Sequence, residues 1–456
     1  MAKVEHITEG PISSTILRLA WPVVASMFLE FGLTVTNYFW VGFLGTKQQD
    51  AVMTSMIVTW TLFATSAIIV TGLTALVSRA IGAKEESEAS YVSKQGLILA
   101  VCFGLVFTSL GVWLTPSILR FMKAGPDVVS LGIPYLRIYF IGMTIIFLND
   151  AFGSIFRATG DTKSTMIAFS SGTLMNFCLD PLLIFGVGPF PKLGVAGAAV
   201  ATTISVLATF VIFVTLILKK RLSFSLSGWQ RTKPDLKTIA KIFRLGIPIS
   251  LQNIVFVGVY WFIIQIVHHY GDAAGAAMGI GNRMESLSFL TTYGFAAAAS
   301  TMVGQNMGAR QPDRAAKCAW GSVGIVVVET FIISIVFIAL PKYIARVFTS
   351  DPQVLEIAID YLIILGLSQI FMGIEITLEG AFTGAGHTIP PMAVSIPGSI
   401  ARLPLAYYLC FVLNTGINGV WWTLTITSFA KAIILAIWFR KGTWRRKKLE
   451  VVKGLT

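Results

Sequence analysis

Charge is scarce in this sequence. Only 12% of its 456 residues are Asp, Glu, Lys or Arg, against roughly 25% in an ordinary globular protein, and mean hydropathy is +0.76. A chain so poor in charge does not have water as its main solvent. Cysteine and histidine are few, four of each. Cys102, Cys178, Cys318 and Cys410 stand singly in apolar surroundings, without the close spacing of a metal site, and read as packing residues. His268 and His269, in VHHYGD, read as polar residues at a loop edge. No Gly-Lys dipeptide occurs, so no Walker A loop can cradle nucleotide phosphates, and ATP-driven pumping by this chain alone is not expected. There is no His-Glu-x-x-His and no Ser with Gly two positions away on both sides, so no enzyme is expected. The first fifteen residues lack a short apolar core with a cleavage site; no removed signal peptide is expected, and the first span serves as insertion signal.

Long apolar runs take the place of charge. GSVGIVVVETFIISIVFIAL, residues 321–340, carries a single charge and as a helix is long enough to cross about 30 Å of hydrocarbon. Turn residues and charge clusters divide the chain into twelve such spans, starting near residues 16, 51, 93, 130, 164, 193, 240, 275, 316, 354, 390 and 416. The net charge of +13 would suggest nucleic acid in a soluble protein, but here it is sorted by side. With the N-terminus inside, inner segments hold 25 of the 35 Lys and Arg and outer loops 6; Arg137, Arg283, Arg402 and Lys431 fall within spans. The asymmetry predicts both termini in the cytoplasm and no nucleic-acid partner. The tail RKGTWRRKK can lean on anionic lipid.

The chain repeats itself. LRLAWP (17–22) matches FRLGIP (243–248), AIGAK (80–84) matches NMGAR (306–310), IPYLRI (133–138) matches IDYLII (359–364), and FRATGDT (156–162) matches FTGAGHT (382–388), all at an offset of 226 residues. This predicts a duplicated six-helix unit: a first lobe at 1–218, a cytoplasmic linker at 219–239, a second lobe at 240–440 and a basic tail at 441–456. The expected fold class is an all-α polytopic membrane protein with twelve transmembrane helices in two pseudo-symmetric six-helix bundles. An even number of helices relates the halves by an axis along the membrane normal. A cavity between two bundles that rock suits alternating access by a protein that works as a monomer.

A secondary transporter needs ionisable groups inside the membrane, each costing about 2.5–3.5 kcal/mol near a helix centre. Asp180 and Asn176 lie one turn apart in MNFCLDPLLIFG (175–186). Counted from the span ends, Asp180, Asn37 and Thr202 reach a similar depth, roughly 12 Å below the outer surface. Pro181 cannot donate to the carbonyl of Phe177, which frees a main-chain oxygen beside Asp180. Carboxylate, amide oxygens, hydroxyl and carbonyl make a hard-cation site, with Na+ as the metal, or a shielded proton acceptor. The plainer alternative is a polar patch around a proline kink. Glu30, two turns before Asn37 on the same face, either shares the proton or substrate charge or is a structural Glu paired with Arg. Asn149 and Asp150 extend the network or mark a span end. Glu375 and Glu379, one turn apart in span ten at the repeat positions of Asn149 and Gly153, read as gating or structural. Glu285, Glu329 and Lys431 are single intramembrane charges without an identifiable partner, as are Arg283 and Arg402, the two substrate-cavity candidates. Plentiful Met and Phe, 14 and 32, suit an adaptable apolar cavity or plain packing.

The twelve spans, the duplication and the segments WVGFLG, FRATGDT, NFCLDPLLIFG, GVAGAAVATT and VGQNMGA together resemble the multidrug and toxic compound extrusion family over essentially the whole chain. The resemblance implies two six-helix lobes and export of small organic, often cationic, compounds against inward H+ or Na+, with no cofactor. It also implies an N-lobe cation site whose Asn, Asp and Thr fall on Asn176, Asp180 and Thr202. Prokaryotic members of this branch usually carry Asp in span one where VTNYFWVG has Asn37, so one charge and one proton site are missing. Another branch has acidic groups in spans seven and ten, at positions held here by Phe256 and Met372. The expected function is an inner-membrane cation-coupled exporter, leaning to H+ because a desolvated carboxylate without a fixed anionic partner readily carries a proton. The alternatives are a flippase for lipid or polyisoprenoid-linked intermediates and, in another class, a membrane receptor or assembly protein.

Overall fold

The computed structural model describes residues 7–122, 125–228 and 231–447, and every regular element among them is helical. Among the described residues nine helices are long and apolar enough to cross a membrane: α1 (Ile12–Gly42), α2 (Thr46–Gly82), α3 (Glu86–Phe121), α6 (Thr162–Phe185), α7 (Val195–Leu218), α8 (Leu236–His269), α10 (Pro312–Ala339), α12 (Pro352–Gly384) and α15 (Asn418–Arg440). A tenth span is the pair α4 (Pro126–Ile141) and α5 (Met143–Thr159), bent by 47°. The other two of the twelve expected spans fall on helical segments of a different kind. One is α9 (Asp272–Gly308), 37 residues long, with Asn282, Arg283 and Glu285 in its first half. The other is broken into α13 (Ile389–Ile400), α14 (Arg402–Tyr407) and a π-helical turn at Tyr408–Val412. Pro397 and Pro404 lie within it, and each removes a ladder hydrogen bond. The short α11 (Pro341–Phe348) precedes α12. Exposed apolar side chains such as Trp113, at 75% accessibility, lie on these helices as lipid contact requires.

The sequence repeat reappears in the backbone. Left-handed residues recur 226 positions apart: Gly45 with Gly271, Lys84 with Arg310, Gly160 with Gly386, and Gly188 with Asn414. Gly160 ends α5 at φ 91°, which a side chain would resist. Lys84 and Arg310 hold φ 60° and 58° without being glycine. The same turn geometry therefore outweighs the same local strain twice.

The chain forms two compact units, residues 25–246 and residues 7–24 with 247–447. The divisions fall inside α1 and α8, close to Pro22 and Pro248, a repeat-related pair. In the first unit, Phe103, Phe107, Phe147 and Phe243 pack together edge-on or tilted, and Phe213 joins Phe152, Phe156 and Phe169 across α5, α6 and α7. Small residues bring helices close. A Cβ on Gly197 would lie 2.4 Å from the carbonyl oxygen of Leu183, and one on Gly172 would strike Thr209. Gly197→Val should therefore cost about 1–3 kcal/mol of overpacking, read as a lower melting temperature of the purified protein; an unchanged melt would contradict this close approach of α6 and α7.

Part of the linker is fixed to α3. Gln95 donates to the carbonyl of Lys233 at 2.9 Å and accepts from the Asp235 amide at 2.8 Å. Asp235 caps α8 by accepting from the amides of Lys237 and Thr238 and from the Thr238 hydroxyl. The Thr238 hydroxyl bond, ahead of the two amides, holds the Asp235 carboxyl below its ordinary value. A depressed folded value means that the cap is at full strength at neutral pH and weakens as pH falls through that value. Amide exchange of residues 236–240, corrected for its intrinsic pH dependence, should show protection lost on acidification in wild type and already low in Asp235→Ala. Equal protection in both would remove the cap from the explanation.

In the second unit, Tyr361 stacks on Trp421 at 3.9 Å amid Val259, Ile263 and Leu365. Phe439 stacks on Trp444, whose indole nitrogen donates to the Phe439 carbonyl, so the start of the basic tail is seated on the fold. Cys318 and Cys410 are buried packing residues as expected, but Cys102 and Cys178 are exposed on their spans.

Candidate functional site

Asp180 is completely buried, in a helix that runs unbroken through Pro181. Its N-terminal turn is capped by Asp161, which accepts from the Ser164 amide and hydroxyl. Asn176, one turn before Asp180, donates from Nδ2 to Asp180 Oδ1 at 3.3 Å. Asp180 Oδ2 is buried with no hydrogen-bond partner. The arrangement thus supplies one carboxylate oxygen stabilised by an amide and one left open.

Two neighbouring helices bring further oxygens to this level. The contacts of Gly197 with Leu183 and of Gly172 with Ser205 and Thr209 run α7 antiparallel along α6, which sets Thr202 level with Asn176 and Asp180. The Thr202 hydroxyl donates to the Ala198 carbonyl at 3.0 Å, leaving its lone pairs available. On α1, Trp40 and Phe43 pack edge-on against Phe185 at 6.0 and 6.5 Å between ring centroids. Asn37 lies one turn before Trp40, and its Oδ1 is another buried acceptor without a donor. The open acceptor at Asp180 is of a kind that takes a proton or a single monovalent cation, and Asn37 offers a second open acceptor on α1. Among the described residues no three His, Cys, Asp or Glu side chains gather to hold a metal ion, so any cation would rely on amide, hydroxyl and main-chain oxygens.

Glu30 goes elsewhere. It is exposed on α1 and lies within electrostatic reach of Asp150 and Tyr139. Asp150 stands beside Ser66 and Arg157, with Oδ2 buried and unpartnered. Asn149 donates to the Val206 carbonyl of α7 at 2.9 Å. Between the Glu30–Asp150 pair and Asp180, in electrostatic terms, stand two tyrosines that the sequence reading did not single out. Tyr135 lies within reach of Asp180, and Tyr139, one turn on, within reach of Tyr135, Asp150 and Glu30. The signal was present in IPYLRIYF: two phenols four residues apart in an apolar span share a helix face.

The second unit holds the remaining candidates. Lys431 Nζ meets Glu375 Oε1 at 2.6 Å, a buried ion pair. Glu379 Oε1 accepts from Gln252 Nε2 at 2.6 Å and from the Ser395 hydroxyl at 2.8 Å. Arg402 is buried, donates to the hydroxyls of Thr427 and Ser428 at 3.0 and 3.5 Å, and lies 5.5 Å over the Phe256 ring. Arg283 is exposed. Glu329 accepts from Thr291 at 2.5 Å. Three of the charges that had no partner in the sequence, Lys431, Arg402 and Glu329, are thus tied to named neighbours.

Comparison with known proteins agrees with this architecture. The family model MatE matches twice, at residues 22–182 and 248–408, beginning 226 residues apart as the repeat does. The chain is 29% identical to the "Probable multidrug resistance protein NorM" of Thermotoga maritima, covering 96% of this chain and 94% of that one. It is 26% identical to the "FAD transporter" of Shewanella oneidensis, covering 94% of each. Among solved structures, an outward-facing multidrug resistance MATE transporter of the MOP superfamily superposes with a TM-score of 0.91 at 24% identity, over 98% of this chain and 99% of that chain. A MOP superfamily transporter from Pyrococcus furiosus superposes equally well, at 0.91 and 23% identity, with the same coverage. With its two matches covering most of the sequence and the whole fold shared, the chain belongs to the MatE family of multi-pass membrane transporters.

Proposed function

We propose that this transporter is a secondary active exporter, moving organic cationic or amphiphilic compounds out of the cell against inward H+ or Na+ by alternating access, with both termini in the cytoplasm. Coupling is assigned to Asp180, assisted by Asn176, Asn37 and Thr202. The observation that carries this is the fully buried Asp180 carboxylate with one oxygen unpartnered. A carboxylate in an apolar interior is costly while ionised, which favours a form neutralised by a proton or cation there and release of that ion where the site opens to water. That alternation is what an antiporter needs: the ion neutralises the site on one side of the membrane, and its departure on the other drives the return. Tyr135 and Tyr139 carry the change towards Asp150 and Glu30 within the same unit.

The test is efflux of a fluorescent organic cation from proteoliposomes, driven separately by a pH gradient and by a Na+ gradient. Efflux under one gradient identifies the ion; efflux under neither overturns the reading in favour of a flippase. One relative is called an FAD transporter, so an anionic nucleotide belongs in the substrate panel. Arg402, the buried cation nearest to a phosphate-binding role, is already held by Thr427, Ser428 and the Phe256 ring, which favours the exporter over the flippase.

Asn37→Asp tests the role of the amide. A second carboxylate near Asp180 adds negative charge and favours a bound cation. The concentration of coupling ion giving half-maximal efflux should fall by on the order of tenfold, equivalent to about 1.4 kcal/mol. An unchanged ion dependence would place Asn37 outside the site.

A further inference from the structure

Helix α10 packs against α9 and α12, and another of its faces carries a groove of about 560 Å³ lined chiefly by Gly321, Gly324, Ile325, Val328, Glu329 and Ile332. The two glycines open it. A side chain at Gly324 would meet nothing within 4 Å, whereas one at Gly321 would touch Ile12 and Ile16 at 3.3 Å, so the start of α1 closes the groove at that end. From Gly321 to Ile332 it runs about 16 Å along the helix. Val328 and Ile332 are 61% and 57% accessible, so the groove opens on the apolar surface of the second unit.

One side chain in this lining is out of keeping with the rest. Glu329 accepts from the Thr291 hydroxyl of α9 with Oε1, while Oε2 is buried and has no hydrogen-bond partner. A carboxylate oxygen without a donor in apolar surroundings is costly, and the fold does not require it. The repeat-related position in the first unit is Phe103, packed with Phe107, Phe147 and Phe243. Gly321 and Gly324 likewise stand where Gln95 and Ile98 do 226 residues earlier. Helix α10 thus has space and an acid where α3 has bulk and an aromatic ring.

The lining selects the occupant. A metal cation would find one carboxylate and no amide or hydroxyl in the lining, and an anion would meet negative charge. A plain hydrocarbon chain fills the groove but leaves Oε2 bare. An alkyl chain ending in an ammonium does both, covering Val328, Ile325 and the two glycines while an N–H is offered to the carboxylate. Oε2 lies beneath the groove floor, and a turn of the Glu329 side chain about its terminal bonds brings it to the ammonium. We propose that the groove on α10 is a binding site for a single-chain cationic amphiphile, a long-chain alkylammonium taken from the bilayer, with its head at Glu329 and its tail running towards Gly321. The site is separate from Asp180, which lies in the other unit. The proposed export reading adds only that such a compound is also cargo; occupancy of the groove stands apart from it.

The test uses the full chain in lipid vesicles and a long-chain primary amine with a photoreactive diazirine in its alkyl chain, followed by peptide mapping of the label. Wild type should be labelled within residues 321–332, and unlabelled alkylamine should displace the label where the alcohol of the same chain length does not. Glu329→Gln keeps an oxygen for Thr291 but removes the charge. It should need roughly tenfold more amine for the same labelling, as expected for the loss of one charge-assisted hydrogen bond. Gly324→Leu keeps Glu329 and fills the open space, so labelling should disappear while the melting temperature holds. Displacement by the alcohol as effective as by the amine would reduce the groove to ordinary lipid contact and overturn the proposal, as would wild-type labelling of Gly324→Leu. If Glu329→Gln does not fold, Gly324→Leu and the comparison of amine with alcohol still decide. Asp180→Asn should be labelled like wild type, so loss of coupling and loss of groove binding are read independently.

Discussion

Asp180→Asn should reduce gradient-driven efflux in proteoliposomes to the level of protein-free vesicles. The substitution keeps the shape and an oxygen that can still accept from Asn176, so helix α6 and its packing against α7 should survive. What disappears is the negative charge and the only titratable group at that position. Binding of substrate should persist, because nothing in the site assigns Asp180 to the substrate itself; coupling should not. The expected pattern is therefore a normal melting temperature and retained ligand binding with no uphill transport. Efflux at wild-type rates would return Asp180 to a structural role beside Pro181 and move attention to Glu30 and Asp150. A misfolded variant would instead favour the plainer expectation that Asn176 and Asp180 serve only to patch a proline-containing helix.

The second large effect concerns stability. Lys431→Met retains the aliphatic stem that packs against Gly398 but removes the ammonium from a carboxylate that is 7% accessible. Breaking one side of a buried pair leaves an uncompensated charge and costs about 3–5 kcal/mol. Removing both sides, as Lys431→Met with Glu375→Leu, should recover most of that loss, because two apolar side chains of similar volume avoid the desolvation of two ions. Thermal denaturation of the single and double variants in the same detergent measures the difference. Equal melts for the two would mean that the ion pair contributes little and that the surrounding network, Ser395 and Arg402 included, already satisfies Glu375.

The membrane class, the helical content and the offset of 226 residues were legible because they depend on composition and periodicity, which the bilayer enforces strongly. The repeat was visible even at single residues: FRATGDT and FTGAGHT each end a helix at a left-handed glycine. The levelling of Thr202 with Asn176 and Asp180 on neighbouring helices followed from counting residues along spans. Partner choice did not. Glu30 shares a face with Asn37, yet its neighbours are Asp150 and Tyr139, because side-chain direction depends on which helix packs beside α1 at that level. Lys431 and Glu375 are 56 residues apart, and nothing local to either announces the pair. Tyr135 and Tyr139 were overlooked for a different reason. An aromatic residue in an apolar span reads as packing, and its polar tip gains meaning only when a carboxylate is found beside it.

The most direct test of coupling at Asp180 is ion release on substrate binding, measured with purified protein in weakly buffered solution. In an antiporter, substrate and ion favour opposite states, so adding an organic cation to the loaded protein should expel the ion, H+ or Na+. Wild type should release it, and Asp180→Asn should bind the same compound with that release abolished. Undiminished release from Asp180→Asn would contradict the assignment of the coupling ion to Asp180.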